Sequence, residues 1–127
     1  MSGLKYILDT NIIIGLLKAN PTAIALAESV RLDLGECAIS QITRMELLGC
    51  KGISEAEESS IHQFLACCVV LMIDETVECE AIRFRKHSSL KLPDAIIAAT
   101  AQVHNLNLLS LDERLVSQYE RAVKDNR

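Results

Sequence analysis

This 127-residue chain has no tryptophan, two tyrosines and two phenylalanines. So few aromatic side chains argue against a stacking platform that grips single strands by their bases. Basic residues are also in short supply, since the formal net charge is −4. A surface coated with cations for bulk nucleic-acid binding is therefore not expected. The sum still allows a nucleic-acid enzyme, because acids gathered in a pocket count toward it. No apolar run approaches membrane-spanning length, and no basic segment followed by an apolar cleavage region opens the chain. A soluble, cytoplasmic protein with no membrane partner is the expectation. The five cysteines (Cys37, Cys50, Cys67, Cys68 and Cys79) form neither a paired redox motif nor a zinc spacing. An odd number on apolar segments reads as buried thiols in a reducing compartment, with Cys67-Cys68 in the core.

What is present is apolar residues, half of the composition. At this length they fit one domain, residues 1–127, with a substantial core. Leu4 to Leu8 is a short, nearly continuous apolar run, as in a strand buried on both faces. Helical spacing follows through Ile12, Ile13, Leu16 and Leu17 until Asn20-Pro21. Thr22 is a candidate cap for a second helix carrying Ile24, Leu26 and Val30. Cys37-Ala38-Ile39 reads as a strand, and Ser40 as the cap of a helix that stops near Gly49. Ser54 to Glu57 has capping-box form. Val69 to Ile73 is the clearest strand by β-branching, and Asp74 caps the helix after it. Pro93 suits the first turn of a helix reaching about His104. Leu106 to Leu109 is the last strand, with a helix from about Leu111. Strands alternating with helices predict a three-layer α/β/α sandwich around a parallel sheet of four strands, or five if the tail adds one.

In such folds ligands bind beyond the carboxyl ends of the strands. Asp9 and Asp112 fall at those ends, while Glu46 and Asp94 lie on helices that can pack beside them. Each acid has an ordinary explanation. Asp9 can cap a helix, and Glu46 can pair with Thr43. Asp94 can favour the positive end of a helix dipole, and Ser110-Leu111-Asp112-Glu113 is itself a capping box. Together they say more. Carboxylates that converge from distant parts of a chain repel one another, and a fold tolerates them mainly when they hold a hard cation. Magnesium or manganese suits such oxygen donors, can activate a water, and can neutralise charge on a phosphate. No serine, cysteine or histidine dyad competes, and His62, His87 and His104 read as surface residues. A phosphoaspartyl receiver would need an acidic pair near the first strand and a Lys late in the chain, and a dehalogenase-like phosphatase a second Asp where Asn11 stands.

Four segments carry a resemblance: Leu8-Asp9-Thr10-Asn11, Ser40 to Leu47, Leu92 to Ala101, and Leu108 to Asp112. In order and spacing they resemble PIN domains, and most closely the VapC-type toxin ribonucleases. The resemblance implies a compact α/β/α fold and an Mg- or Mn-dependent endoribonuclease. It implies an RNA substrate, an antitoxin that holds the enzyme inactive, and a homodimer. By motif position it makes Asp9, Glu46, Asp94 and Asp112 the catalytic and metal-binding quartet, with Asn11 and Ser110 in support. The chain departs from the family after Asp112. Glu113-Arg114-Leu115 replaces an aromatic-bearing turn, and the tail looks helical instead of forming a further edge strand.

Arg83, Arg85, Lys86, His87 and Lys91 precede Asp94, and Arg44 lies two residues before Glu46. A solvated helix face is the ordinary reading of such a run. Its closeness in sequence to the acids offers another, a phosphate rail in which Arg85, Lys86 and Arg44 contact RNA. The helices around Ile24-Leu26 and Ile61-Leu65 are candidate dimer faces. The alternative function is a catalytically silent PIN-like binding or assembly module, against which the presence of all four acids argues.

Overall fold

The computed structural model describes residues 3–125. Tyr6–Leu8 forms β1, Cys37–Ser40 β2, Val69–Leu71 β3 and Asn107–Leu109 β4, all parallel in the order β3-β2-β1-β4. After β1 come α1 (Thr10–Leu17) and α2 (Pro21–Ser29); after β2 come α3 (Gln41–Leu48) and α4 (Glu55–Ala66). After β3 come α5 (Glu75–His87) and α6 (Leu92–Val103), and α7 (Glu113–Asp125) follows β4.

Neighbouring residues of a strand face opposite sides of the sheet, so each strand feeds two cores. Ile7, Ala38 and Leu108 pack with Val77 and Phe84 of α5, Ile97 of α6, and Leu115 and Tyr119 of α7. Leu8, Cys37, Ile39 and Leu109 pack instead with Ile12 and Ile13 of α1, Leu47 of α3, and Ile61 and Leu65 of α4. The sandwich expected from the sequence is present. It has four strands, and among the described residues no fifth follows Asp112.

The third strand is present where the sequence places it but ends at Leu71 rather than Ile73. Val69 to Ile73 has the strongest β-branching, yet β3 is an edge strand and Val69 is 46% exposed. β-branching reports a fit to a pleated surface, not a central place in the sheet. Beyond Leu71 the ladder gives way, and the Ile73 N–H donates to the Gln41 side chain at 2.9 Å.

Several caps fall as expected. The Ser40 hydroxyl accepts from Ile42, Ser54 and Glu57 form a reciprocal capping box, and Asp74 accepts from Val77. The second helix differs. Asn20, not Thr22, is its cap, accepting from the N–H groups of Thr22 and Ala23, with Pro21 opening the helix. A β-carbon on Gly15 would stand 2.6 Å from that of Ala23, so glycine is what lets α1 and α2 meet there.

The cysteines are mostly not buried. Cys37 is, Cys68 is half-buried, and Cys50, Cys67 and Cys79 are exposed. Cys67 ends α4 as its C-cap and faces outward, which a pair of adjacent cysteines could not disclose. Of the suggested dimer faces, Ile61 and Leu65 are buried in the core, whereas Ile24 and Leu26 are half-buried. Open apolar side chains lie elsewhere, among them Met45, Met72, Ile82 and Leu92.

Candidate active site at the carboxyl end of the sheet

In the strand order β3-β2-β1-β4, the chain moves outward from β1 to β3 and then returns to place β4 on β1's other side. The crevice at such a reversal is where open parallel sheets bind ligands. Asp9 leaves β1 there and Ser110 leaves β4. Leu109 C=O accepts from the Asp9 N–H at 2.9 Å, extending the ladder by one bond into the site.

Asp9 is buried. Its Oδ1 accepts from the Thr10 N–H at 2.8 Å, and its Oδ2 accepts from the Ser110 hydroxyl at 2.6 Å. Burial raises its pKa above the ordinary carboxyl value; those two hydrogen bonds oppose the rise, while the charges of Glu46 and Asp112 add to it. Asn11 fastens the far side. Its Nδ2 donates to Ser110 Oγ at 3.1 Å, and its Oδ1 accepts from the Leu111 N–H at 3.0 Å.

Asp94 lies in the first turn of α6, after Pro93. Ala95, Ala98, Ala99 and Ala101 of this helix are wholly buried, and such small side chains let it seat close to the sheet. Burial raises the Asp94 pKa, followed by the charges of Asp9, Asp112 and Glu46, with Lys91 pulling the other way. The charges of the other three acids thus add to the effect of burial at Asp94.

Glu46 is exposed, and Met45 beside it is exposed too. It does not pair with Thr43 as a capping box. The Thr10 hydroxyl donates to its Oε1 at 2.7 Å and lies 3.2 Å from the buried Thr43 hydroxyl. Asp112 also departs from expectation, in that it rather than Ser110 caps the last helix. Its Oδ1 accepts from the N–H groups of Arg114 and Leu115, while Ser110 Oγ accepts from the Asp112 N–H at 2.9 Å. Ser110 is thus drawn inward to Asp9, and the helix begins at Glu113 instead of Leu111.

The cations divide differently from the proposed rail. Lys91 is the one whose charge Asp94 feels. Arg85 donates to the Leu90 carbonyl at 3.0 Å, bracing the turn into α6. Arg85 and Lys86 line a cavity of about 430 Å³ beside Ile82, Leu92 and Ile96. Arg44, half-buried, reaches the Met72 sulfur at 3.8 Å. His62, His87 and His104 are exposed, as expected. Tyr119 was missed: its hydroxyl donates to the Leu106 carbonyl at 2.7 Å, and burial pushes its pKa up to about 12. A lone tyrosine in an amphipathic helix carries no local sign of that bond.

The PIN domain family profile matches residues 6–121. The chain belongs to the PIN-domain family. This PIN domain is 30% identical over 113 residues to Ribonuclease VapC19 of Mycobacterium tuberculosis, covering 85% of this chain and 89% of the relative. It superposes on a toxin-antitoxin complex chain from Klebsiella pneumoniae with a TM-score of 0.74 and 32% identity, over 87% and 88% of the two chains. A chain of DNA-bound VapBC from Salmonella typhimurium superposes with a TM-score of 0.75 and 26% identity, over 90% and 91%. The PIN domain is thus a homologue of VapC-type ribonucleases, with the α/β fold they share.

Among the described residues, no three His, Cys, Asp or Glu side chains form a ready-made metal cage. The four acids offer oxygen donors alone, and burial together with the charges of the other three raises the Asp94 pKa. Those properties fit magnesium, which binds through one or two carboxylates and retains several waters.

Proposed function

We propose that this PIN domain is a metal-dependent endoribonuclease, the toxin of a toxin–antitoxin pair. One observation carries the reading. Thr10 and Ser110 tie Asp9 to Glu46 and to Asp112 at the carboxyl end of the sheet, and beside them Asp94 is raised in pKa by burial first and then by the charges of the other three. Asp9, Asp94, Glu46 and Asp112 would hold magnesium or manganese, with Asn11 and Ser110 fixing Asp9. The bound ion supplies positive charge to the scissile phosphate and activates a water at neutral pH. Thr10 aims Glu46 through its 2.7 Å hydrogen bond, and Ser110 keeps Asp9 aligned while sharing its oxygen with the Asp112 N–H. Lys91, at the N-cap of α6, offers a cation to a phosphate, with Arg44, Arg85 and Lys86 as further contacts. The similarity to chains solved in toxin–antitoxin assemblies supports a cognate antitoxin as partner. A homodimer is part of the same reading, and sedimentation of a monomer at every accessible concentration would remove it.

The test is to incubate the purified protein with transfer RNA and structured RNAs, with magnesium and with chelator. Cleavage that requires the metal and disappears in Asp94→Asn is expected. No cleavage under either condition, or cleavage indifferent to chelator, would overturn the reading.

A further inference from the structure

The α5 helix buries Val77, Ala81 and Phe84 in the core and leaves a second stripe open. Glu78, Ile82 and Lys86 stand along that stripe, four residues apart and all exposed. Residues at this spacing lie on one side of a helix. Ile82 is 47% exposed and borders the hollow of about 430 Å³, together with Ile73, Leu92 and Ile96. Leu92, at the start of α6, is 55% exposed. Open aliphatic side chains gathered in this way mark a surface that a partner covers. Glu78 and Lys86 line the same hollow, and neither makes an ion pair among the described residues.

The stripe reads acid, isoleucine, cation along the helix. Turned end over end about Ile82, it reads cation, isoleucine, acid. Glu78 and Lys86 each lie about 6 Å along the axis from Ile82, at about 1.5 Å per residue. Two copies of α5 laid antiparallel therefore bring each Glu78 level with a Lys86.

We propose that this face of α5 is where a second copy of the chain docks. The two copies are related by a two-fold axis at Ile82, with Glu78 of each opposite Lys86 of the other. Ile82 and Leu92 leave water, and the two ion pairs fix the antiparallel register. An acidic partner would be drawn to Lys86 and Arg85 but repelled by Glu78. An RNA strand would meet the same repulsion, and a hollow with aliphatic walls gives its bases nothing to stack on. A second copy meets both charges with their opposites. The proposal rests on the homodimer of the proposed function, to which it gives a surface, and it takes Lys86 from the phosphate to the second copy.

The test needs no RNA cleavage. Sedimentation equilibrium is run on the full chain, on Glu78→Lys, on Lys86→Glu, and on the two variants mixed in equal amounts. Each variant alone faces itself with like charges, so its dimer should dissociate about tenfold more readily or worse. Circular dichroism of both variants should match that of the unmutated chain, since the changed side chains are exposed. The mixture should sediment as the unmutated dimer does, because every changed residue then faces an opposite charge again. Variants that dimerise as well as the unmutated chain overturn the proposal and leave the homodimer to another surface. A mixture that stays monomeric also overturns it. An unmutated chain that is monomeric at every accessible concentration removes the surface and the homodimer together. Unchanged dimers, with weaker binding of a fluorescent single-stranded RNA hexamer by Lys86→Glu, would give the face to RNA and overturn the proposal. The ribonuclease reading is tested separately by magnesium-dependent cleavage, and can fail while the surface stands.

Discussion

Asp9 is buried and fastened on both oxygens, by the Thr10 N–H and the Ser110 hydroxyl. Asp94, in the same pocket, is half-buried, and no hydrogen bond or ion pair among the described residues holds its carboxylate. Both are raised in pKa with burial as the first cause, but hydrogen bonds relieve Asp9, whereas Asp94 has only the distant charge of Lys91. One acid is therefore part of the framework, and the other carries strain that a cation would relieve. Their substitutions should separate structure from chemistry.

Asp94→Asn should give the largest effect, a loss of metal-dependent RNA cleavage of about a thousandfold or more with the fold retained. Single-turnover assays alongside circular dichroism check both halves. Metal-free Asp94→Asn should also melt higher than the unmutated chain. Asp9→Asn should lose cleavage equally but gain less in melting temperature, because it weakens the bond to Ser110. Equal gains in both variants would erase the distinction between the two acids.

Ser110→Ala comes next. It removes a buried hydroxyl that serves Asp9, Asn11 and the Asp112 N–H, so denaturant unfolding should show a loss of about 1–3 kcal/mol. Without the Ser110 bond the Asp9 pKa should climb further, which NMR titration of its carboxyl carbon would read.

Magnesium should stabilise the unmutated chain by about 1.4 kcal/mol at ten times its dissociation constant, and Asp94→Asn by much less. Thermal melts with and without the ion measure this, and equal stabilisation of the two would sink it. In chelator, stability should depend on acid pH with a definite sign. Asp9 and Asp94 are raised, so the unfolded chain ionises first as pH rises from the ordinary Asp value of 3.8. The stability these acids contribute is complete below that value and is lost as pH climbs through their folded pKa values. A melt series across this window should fall, and should fall less in Asp94→Asn. The smallest effect belongs to Thr10→Val, which frees Glu46 at a cost of about 0.5–1.5 kcal/mol and lowers cleavage without abolishing it.

The strand-to-helix handovers were legible because hydrophobic runs and breakers are local. Asp9, Asp94 and the alternating layers followed from them. What a residue touches across the fold was not legible. Ser110-Leu111-Asp112-Glu113 fits a capping box as well as it fits an inward serine, and only the neighbouring β1 end decides between them. Spacing lets Glu46 pair locally with Thr43, yet it accepts its bond from Thr10, 36 positions away. Asn20 displaced Thr22 because Pro21, one residue earlier, fixes where that helix starts. Arg85 turned inward to a carbonyl that sequence spacing does not reveal.

The bond between Ser110 and Asp9 joins residues 101 positions apart, and Thr10 reaches 36 positions to Glu46. Such distant pairings form late in folding, after the intervening chain has been gathered. As the chain is made, the first acid emerges 101 residues before the serine that aligns it. The pocket is therefore aligned only once β4 has joined β1, and a chain made only as far as α6 carries its acids unaligned.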